Sequence, residues 1–324
     1  MKRSLVLIFA LTLSMALIVY APAAAAATWT PTRPVTIITH VAPGGGMDIA
    51  TRKLVDLARK YTDAVFVVDN RPGGATMIAS DVVLDMPADG YTIFGAAVSN
   101  IASVVALELD RDRYVDGYDW IAKIQRDPGS IIITNEAKER GVTFHTLIEE
   151  AREMGGRQIW VGPSVGGTKH IDAMVIWQVT GVQGTWVPFE SGPLAAAALL
   201  GGQGAAQSGN PFDTVGRELW NAAIAAPERM PGFEDSPTFA ELGYPELNEI
   251  HMWRGYAVRK GTPPEMIEWF QNIVYQVAND PEWIEFNAAS GITATAVFTE
   301  EFRAIIQETI DTNEFFLREL GLLE

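Results

Sequence analysis

The sequence places a glycine-rich loop between an apolar strand and a helix, and it does so twice. Residues 35–41 form an apolar, β-branched run that leads into Pro43 and three glycines before a helical pattern begins at Met47. The same order of strand, glycine-containing turn and helix recurs at residues 158–179. This order constrains the fold, because strands that alternate with helices through short loops belong to sheets whose faces the helices cover.

Both loops have the chemistry of an anion site. Glycine lets the backbone approach a ligand because no Cβ stands in the way. The free N–H groups of a first helical turn, together with the positive end of the helix dipole, attract negative charge. Either loop alone could be only a tight turn. Because the pattern occurs in both halves of the chain, we interpret it as two loops that face one anionic ligand.

The first 27 residues have the pattern of a secretory signal peptide. A basic head at residues 1–3 precedes an apolar run that ends at Tyr20, and the alanines up to Ala27 are small residues suited to cleavage. An uncleaved membrane anchor is the alternative, because the apolar run is near the lower length limit for a span. The alanines favour cleavage near Ala27, so we expect a soluble periplasmic protein.

Composition limits the partners and the chemistry. The chain has no cysteine, which excludes disulfides and thiolate metal sites, and its four histidines have no paired spacing typical of a metal centre. A formal charge of −16 repels nucleic acid and anionic lipid. An anion site must therefore be a local pocket of backbone amides. We expect no metal, no cofactor and no nucleic-acid partner.

The order of the predicted elements indicates an α/β protein with two domains, each a mainly parallel sheet flanked by helices. The first half has loops at residues 43–48, 70–76 and 96–100, which would meet at the carboxyl ends of its strands, where such sheets bind ligands. A strand at residues 131–134 begins the second half, and a strand at residues 254–258 returns to the first sheet.

These strands set the predicted domain boundaries. Domain 1 is expected to comprise residues 28–128 and 251–324, and domain 2 to comprise residues 129–250. The chain would then cross between the domains twice, near residues 129–131 and 251–254. Two adjacent crossings form a hinge about which the domains can close on a ligand.

A series of short motifs resembles the periplasmic substrate-binding receptors of tripartite tricarboxylate transporters, which are Bug-type solute-binding proteins. Eight motifs follow one another in the family's order, and together they cover nearly the whole chain after the signal. No single motif is specific, but the eight in this order are. They lie at residues 33–48, 69–74, 88–92, 166–170, 187–192, 199–202, 253–255 and 261–264.

The resemblance implies a two-domain periplasmic binding protein of the type II flytrap kind. It implies a receptor that closes on a small organic carboxylate, a di- or tricarboxylate, and hands it to integral membrane transporter subunits. We expect a monomer, and a tryptophan that lines the cleft would suit an aromatic ligand. Loop amides, hydroxyls and ordered waters hold the ligand in that family. By motif, the ligand-binding residues implied here are Gly45, Gly46, Ala75, Ser164, Thr168 and Ser191.

The chain departs from the family's pattern in two places. Residues 204–209 lack the usual strand of apolar residues and aspartate, and Lys169 stands where serine or aspartate is common. The first departure bears on one wall of the expected cleft. The second adds a cation next to the second glycine-rich loop.

Four further residues are ligand candidates from their own position and chemistry. Thr76 and Ser99 lie in two of the loops at the strand ends, and Lys169 faces either the cleft or solvent. Arg254 either pairs with a ligand carboxylate, as arginine does in bidentate fashion, or bridges the domains. Asp48 is expected to orient the first loop rather than touch an anion that it would repel.

An enzyme is the rival interpretation. Gly162, Ser164 and Gly166 match the Gly-x-Ser-x-Gly pattern of a serine hydrolase, and Asp213 or Asp235 and then His251 follow in the order of an α/β-hydrolase triad. The short pattern is frequent by chance, and the chain does not supply the surrounding strands of a hydrolase sheet. We therefore expect a non-enzymatic receptor without catalytic residues, and keep a secreted serine hydrolase that uses Ser164 as the alternative.

Overall fold

The computed structural model describes residues 29–323, so the predicted signal peptide at residues 1–27 lies outside the described residues. The described chain forms two β-sheets, each flanked by helices. Within this part of the chain, no helix combines the length and the apolar character that a membrane crossing requires.

The first half of the chain supplies four strands of the first sheet. In chain order its elements are β1 (Val35–Thr39), α1 (Gly46–Ala58), β2 (Phe66–Asn70), α2 (Met77–Asp85), β3 (Thr92–Ala97), α3 (Val98–Ala106), α4 (Arg111–Tyr114) and β4 (Tyr118–Pro128). Strands β1, β2 and β3 pair in parallel, as the alternation of strands and helices predicts.

The middle of the chain builds the second sheet. Its elements are β5 (Ser130–Thr134), α5 (Asn135–Glu139), α6 (Phe144–Met154), β6 (Ile159–Pro163), α7 (Thr168–Thr180), β7 (Thr185–Phe189), α8 (Gly192–Leu200), β8 (Ala206–Gly209) and β9 (Leu219–Ile224). The strands lie in the order β7-β6-β8-β5-β9. Strand β6 is parallel to both β7 and β8, whereas β5 is antiparallel to β8 and β9.

The last part of the chain returns to the first sheet. Its elements are β10 (His251–Arg259), α9 (Pro264–Ala278), α10 (Pro281–Ala288), β11 (Thr293–Phe298) and α11 (Thr299–Glu319). The completed sheet has the order β11-β4-β10-β3-β1-β2. Both sheets are mixed rather than mainly parallel, because β4, β10 and β11 pair antiparallel in the first and β5 does so in the second.

Strands β4 and β10 carry the chain between the two sheets side by side. They pair antiparallel along their whole length, and the last pair joins Pro128 to His251. Just beyond it, the N–H of Gly129 donates to the carbonyl of Ile250 at 2.8 Å. The domain boundaries predicted from the sequence remain a proposal, which this pair of crossings supports.

An aromatic cluster supports the crossing from the first sheet. Trp253 is only 1% exposed, and its ring meets those of Trp120 and Phe302 edge-on at centroid distances of 6.2 and 5.1 Å. The burial of such rings is a major source of packing energy. Three tryptophans of the second half and the crossing are buried in the core: Trp160, Trp177 and Trp253.

The second sheet contains a strand that the sequence did not indicate. Residues 206–209, expected to lack a strand, form β8 between β5 and β6. All four residues are buried, and alanine, serine and glycine are small enough to fit a central position beneath covering helices. The sequence left this wall of the cleft in doubt, and the structure supplies a strand there because tertiary packing overrides a weak strand pattern.

The crossing should be sensitive to added volume at Gly255 in β10. A Cβ there would lie 2.5 Å from the carbonyl oxygen of Ala122 and 2.6 Å from Cζ of Phe302. Gly255→Ala should therefore lower the free energy of unfolding by about 1–3 kcal/mol, as overpacking does. The measurement is the midpoint of urea unfolding.

Gly201→Ala is the matched control. Gly201 has φ −79°, and an added Cβ would meet its nearest atoms at 3.4 Å, an ordinary contact. Its free energy of unfolding should change by no more than about 0.5 kcal/mol. Equal midpoints for the two variants would contradict the tight packing of the crossing.

Candidate functional site

The first glycine-rich loop ends at α1, where Gly45 is the N-cap. An added Cβ on Gly46 would lie 2.8 Å from Nη2 of Arg254 and 3.2 Å from its Nε. A side chain at position 46 would therefore displace the guanidinium group from the first turn of α1. Two residues predicted to bind the ligand, from opposite ends of the sequence, meet at this point.

Asp48 holds this loop in shape. Its carboxylate accepts hydrogen bonds from the N–H of Gly44 at 2.8 Å, Nε of Arg52 at 2.9 Å and Nδ2 of Asn70 at 3.0 Å. Burial alone would raise the pKa of Asp48, but these hydrogen bonds together hold it below its usual value. The structure thus gives Asp48 the orienting role that the sequence predicted.

The second loop of the first sheet has an unusual backbone. Gly73, Gly74, Ala75 and Thr76 all have positive φ, with values of 113°, 57°, 50° and 76°. Left-handed backbone is unfavourable for alanine and threonine, and such strain is found most often at functional sites. The hydroxyl of Thr76 is also buried without a hydrogen-bond partner among the described residues.

Ser99 stands at the start of α3, against His40 of the first loop. Its Oγ is 3.4 Å from Nε2 of His40, whose Nδ1 is 3.2 Å from the carbonyl oxygen of Gly95. Burial lowers the pKa of His40, and the nearby positive charge of Arg254 also acts in that direction. The imidazole is therefore neutral at pH 7 and positions the Ser99 hydroxyl without adding charge.

The second glycine-rich loop joins β6 to α7, is called the third loop from here on, and is fixed by two aromatic side chains. Ser164 has φ 57°, and its carbonyl accepts a hydrogen bond from Nε1 of Trp186 at 2.8 Å. His170 stacks on Trp186 at a centroid distance of 4.8 Å and accepts from the N–H of Gly166 at 3.0 Å. Thr168 follows as the first residue of α7.

Lys169 does not reach solvent. It is 7% exposed, and its Nζ lies 3.1 Å from Oδ2 of Asp172, one turn further along α7. Burial raises the pKa of Asp172, although the ammonium group of Lys169 opposes that shift. Of the two orientations open from the sequence, the exposed one is wrong, because this cation neutralises a buried carboxylate.

Arg254 lies in an ionic network on the crossing strands. Its guanidinium contacts Oε1 of Gln125 at 3.2 Å and Oδ2 of Asp127 at 3.3 Å. Asp127 in turn accepts a hydrogen bond from Nδ2 of Asn210 at 2.9 Å. Burial raises the pKa of Asp127, while the positive charges of Arg254 and Lys169 oppose the rise. The network thus runs from the first loop to the second sheet.

The second sheet contributes polar residues near Ser191, the N-cap of α8. The N–H of Asn210 donates to Asp213 at 2.9 Å, and that carboxylate would lie 3.8 Å from a Cβ on Gly192. Nε2 of Gln207 donates to the carbonyl of Gly192 at 3.4 Å. The sequence did not predict Gln207, Asn210 or Asp213 as ligand residues, and its only signal for them is the departure from the family pattern after Gly202.

The predicted residues therefore fall into two sets. Five of them lie in or beside the network around Asp127. These are Gly45, Gly46, Ser99, Lys169 and Arg254. Within the described chain, no hydrogen bond joins the other five to that network, and they occupy the neighbouring loops. These five are Ala75, Thr76, Ser164, Thr168 and Ser191.

Two large cavities lie near the seam between the sheets. One, of about 460 Å³, lies between α7 and α11 and is lined by Thr168, Asp172 and Trp253, among others. Another, of about 520 Å³, is lined by Trp177 and Phe315 and contains none of the predicted ligand residues. Of the predicted ligand residues, only Thr168 lines the first cavity, so the candidate site lies where Gly46 meets Arg254 and not in either cavity.

The residues of the alternative hydrolase triad are engaged elsewhere. Nε2 of His251 lies 3.4 Å from Nζ of Lys123, and the carboxylate of Asp235 pairs with Lys138 at 2.7 Å. In the described part of the chain, the hydroxyl of Ser164 makes no hydrogen bond with a histidine. These residues therefore do not form a triad in this structure.

Comparison with known proteins gives a consistent result. The family described as "Tripartite tricarboxylate transporter family receptor" matches residues 50–322. Among curated proteins, the chain is similar to Protein BugT of Bordetella pertussis, with 25% identity over 295 residues, which is 90% of each chain.

Solved structures show the same fold. A TctC solute binding protein from Polaromonas, without ligand, has a TM-score of 0.77 and 24% identity over 89% of this chain and 99% of that one. An R. palustris protein with adipate has a TM-score of 0.68 and 23% identity, covering 90% and 98%. MatC from Rhodopseudomonas palustris with bound malate has a TM-score of 0.64 and 20% identity, covering 88% and 99%. The predicted two-domain binding-protein fold is confirmed.

Removing Arg254 should show how far the stability of the two crossing strands depends on its positive charge. Both side chains of the pair are largely buried, at 13% for Arg254 and 9% for Asp127. Arg254→Ala leaves Asp127 buried without its main partner, which should cost about 3–5 kcal/mol of stability. The measurement is the melting temperature of the ligand-free protein.

The loss of stability in Arg254→Ala should depend on pH in a defined direction. Burial holds the folded-state pKa of Asp127 above its unfolded value, and removing the cation raises it further. The folded variant therefore favours the protonated acid, so its deficit should be largest at neutral pH and shrink as the pH falls toward that raised pKa. Adding Asp127→Asn should restore most of the stability. A deficit that is the same at pH 5 and pH 7.5 would contradict the assignment.

Proposed function

The chain belongs to the tripartite tricarboxylate transporter receptor family, and from that premise we propose that it is an extracytoplasmic receptor for a small organic carboxylate. It captures the ligand between its two domains, without chemical change, and delivers it to the membrane subunits of a tripartite transporter. The signal peptide expected at residues 1–27 supports a periplasmic location. The receptor acts as a monomer in this proposal.

The meeting of Gly46 and Arg254 is the observation that carries the proposal. The first turn of α1 presents backbone N–H groups and the positive end of the helix dipole, and the guanidinium lies against that turn. A carboxylate can accept hydrogen bonds from both, and bonds to charged groups are the strong ones. The loops with Thr76, Ser99 and Ser164 add hydroxyl groups around the same cleft.

The solved relatives support the ligand class. Two R. palustris proteins of the same fold were solved with adipate and with malate, both of which are carboxylates. The sequence-based expectation of a di- or tricarboxylate, aliphatic or aromatic, remains a finer proposal. The charged side chains that the second sheet contributes to the cleft bear directly on which of these carboxylates fits.

Closure follows from the placement of the loops. The first and third loops belong to different sheets, and β4 and β10 connect those sheets as neighbours. A ligand that touches both loops binds the closed form better than the open one, so it shifts the balance toward closure. The crossing strands act as the hinge, and their own conformation changes little on closure.

A thermal-shift screen against mono-, di- and tricarboxylates tests the receptor role. A bound carboxylate should stabilise the mature protein by about 2.7 kcal/mol at a concentration 100 times its Kd. The same ligand should make the protein more compact in small-angle scattering. Gly46→Val should remove both effects, because its side chain displaces the guanidinium of Arg254 from α1.

Gly201→Ala serves as the matched glycine variant and should respond like the wild type. If no carboxylate raises the melting temperature, the receptor proposal is wrong. If a ligand binds but leaves the scattering of an initially open protein unchanged, the site lies within one domain.

Ser164 provides a test against the hydrolase alternative. Ser164→Ala and Ser164→Gly both remove the hydroxyl, and glycine also relieves the left-handed backbone at φ 57°. Both variants should weaken carboxylate binding by roughly 1.5–3 kcal/mol, the range for a hydrogen bond to a charged group. Isothermal titration measures this loss.

The two variants also separate the hydroxyl from the backbone strain. If Ser164→Ala weakens carboxylate binding and Ser164→Gly does not, the effect comes from backbone strain and not from the missing hydroxyl. Turnover of a carboxylic ester by the wild type that both variants abolish would establish the hydrolase instead.

A further inference from the structure

The wall of the cleft formed by the second sheet carries its own carboxylate. Asp213 lies beside the start of α8, where its carboxylate oxygens would be 3.8 and 3.9 Å from a Cβ on Gly192. One of them would also be 2.6 Å from a Cβ on Gly209. A negative charge is stabilised at the N-terminus of a helix. Asp213 therefore takes the position next to Ser191 that a ligand carboxylate would need.

Two buried acceptors without partners stand next to Asp213. Gln207 is 0% exposed, and its Nε2 donates to Gly192, while its Oε1 has no hydrogen-bond partner among the described residues. Asn210 donates through Nδ2 to Asp127, and its Oδ1 is buried without a partner as well. Buried polar atoms are almost always satisfied, so both acceptors indicate a donor that binds here.

The wall formed by the first sheet has the opposite character. It carries the guanidinium of Arg254 and the first turn of α1. Asn100, next to Ser99 in α3, is 3% exposed, and its Nδ2 donor has no partner in the described chain. The hydroxyl of Thr76 is also buried and unpartnered. The first wall thus offers donors and positive charge, whereas the second offers acceptors and negative charge.

We propose that the ligand carries one carboxylate, held by the first wall, and at its other end a hydrogen-bond donor, held by Asp213, Gln207 and Asn210. An amide, a hydroxyl or an ammonium group has the required chemistry. A second carboxylate at that end would meet the charge of Asp213 and two further acceptors, none of which can donate to it. This inference rests on the proposed receptor function and narrows its ligand class to monocarboxylates with a distal donor.

Isosteric ligand pairs provide the test, because a carboxamide has the shape of a carboxylate but donates hydrogen bonds. Isothermal titration at pH 7.5 would compare succinate with succinamate, glutarate with glutaramate, adipate with adipamate and terephthalate with terephthalamate. At the length that fits best, the monoamide should bind at least tenfold more tightly than its diacid. This comparison needs only the wild-type protein.

Asp213→Asn tests the residue itself. The substituted side chain keeps an oxygen that can accept the N–H of Asn210 but loses the charge. The preference for the monoamide should fall at least tenfold, mainly because the diacid binds better. Glu228→Gln, an exposed acid of the same half of the chain, removes the same charge and should leave the ratio unchanged.

The outcomes separate the two proposals. A diacid that binds the wild type as tightly as its monoamide, or a preference that Asp213→Asn leaves unchanged, overturns the inference and leaves the receptor function standing. If neither this panel nor any carboxylate of the thermal-shift screen binds the folded protein, both proposals are overturned.

Discussion

The buried pair between Arg254 and Asp127 is the interaction on which the rest of the structure depends. It joins the two strands that connect the sheets, and it links the first loop to the second sheet through Gly46 on one side and Asn210 on the other. Charges removed from water are costly unless each has a partner and further hydrogen bonds. Here Gln125 supplies one such bond, so a polar network can exist between the two crossing strands.

The same network gives the proposed cleft its polarity. Arg254 projects toward the amides of the first loop, whereas Asp213 and the acceptors beside it belong to the second sheet. With a formal charge of −16, the surface does not concentrate anions, so affinity must come from these local groups. In the proposed receptor, selectivity then depends on which end of a ligand each wall accepts, and not on the total charge of the protein.

Sequence patterns predicted most of the regular elements and the family, and they failed where buried residues are polar. The sequence predicts helices near residues 143–154, 168–179 and 192–200, and α6, α7 and α8 begin and end within about a residue of these bounds. Strand β4 was missed, although it has 11 residues, because Lys123, Gln125 and Asp127 interrupt its apolar pattern. All three side chains are buried; Gln125 and Asp127 contact Arg254, and Lys123 contacts His251. Local pattern cannot identify such partners, which come from distant parts of the chain.

The order of strands in the first sheet also constrains how the chain can fold. Strand β4 has β10 and β11 as its neighbours, and both follow it by more than a hundred residues. Contacts between distant residues require the closure of a long loop before they yield any stabilisation. The second sheet, by contrast, is continuous in sequence, and its ends are joined by the bond between Gly129 and Ile250. The second sheet can therefore form as a complete unit before β4 pairs with β10 and β11. The part of the chain between Gly129 and Ile250 is thus able to fold before the first sheet is complete.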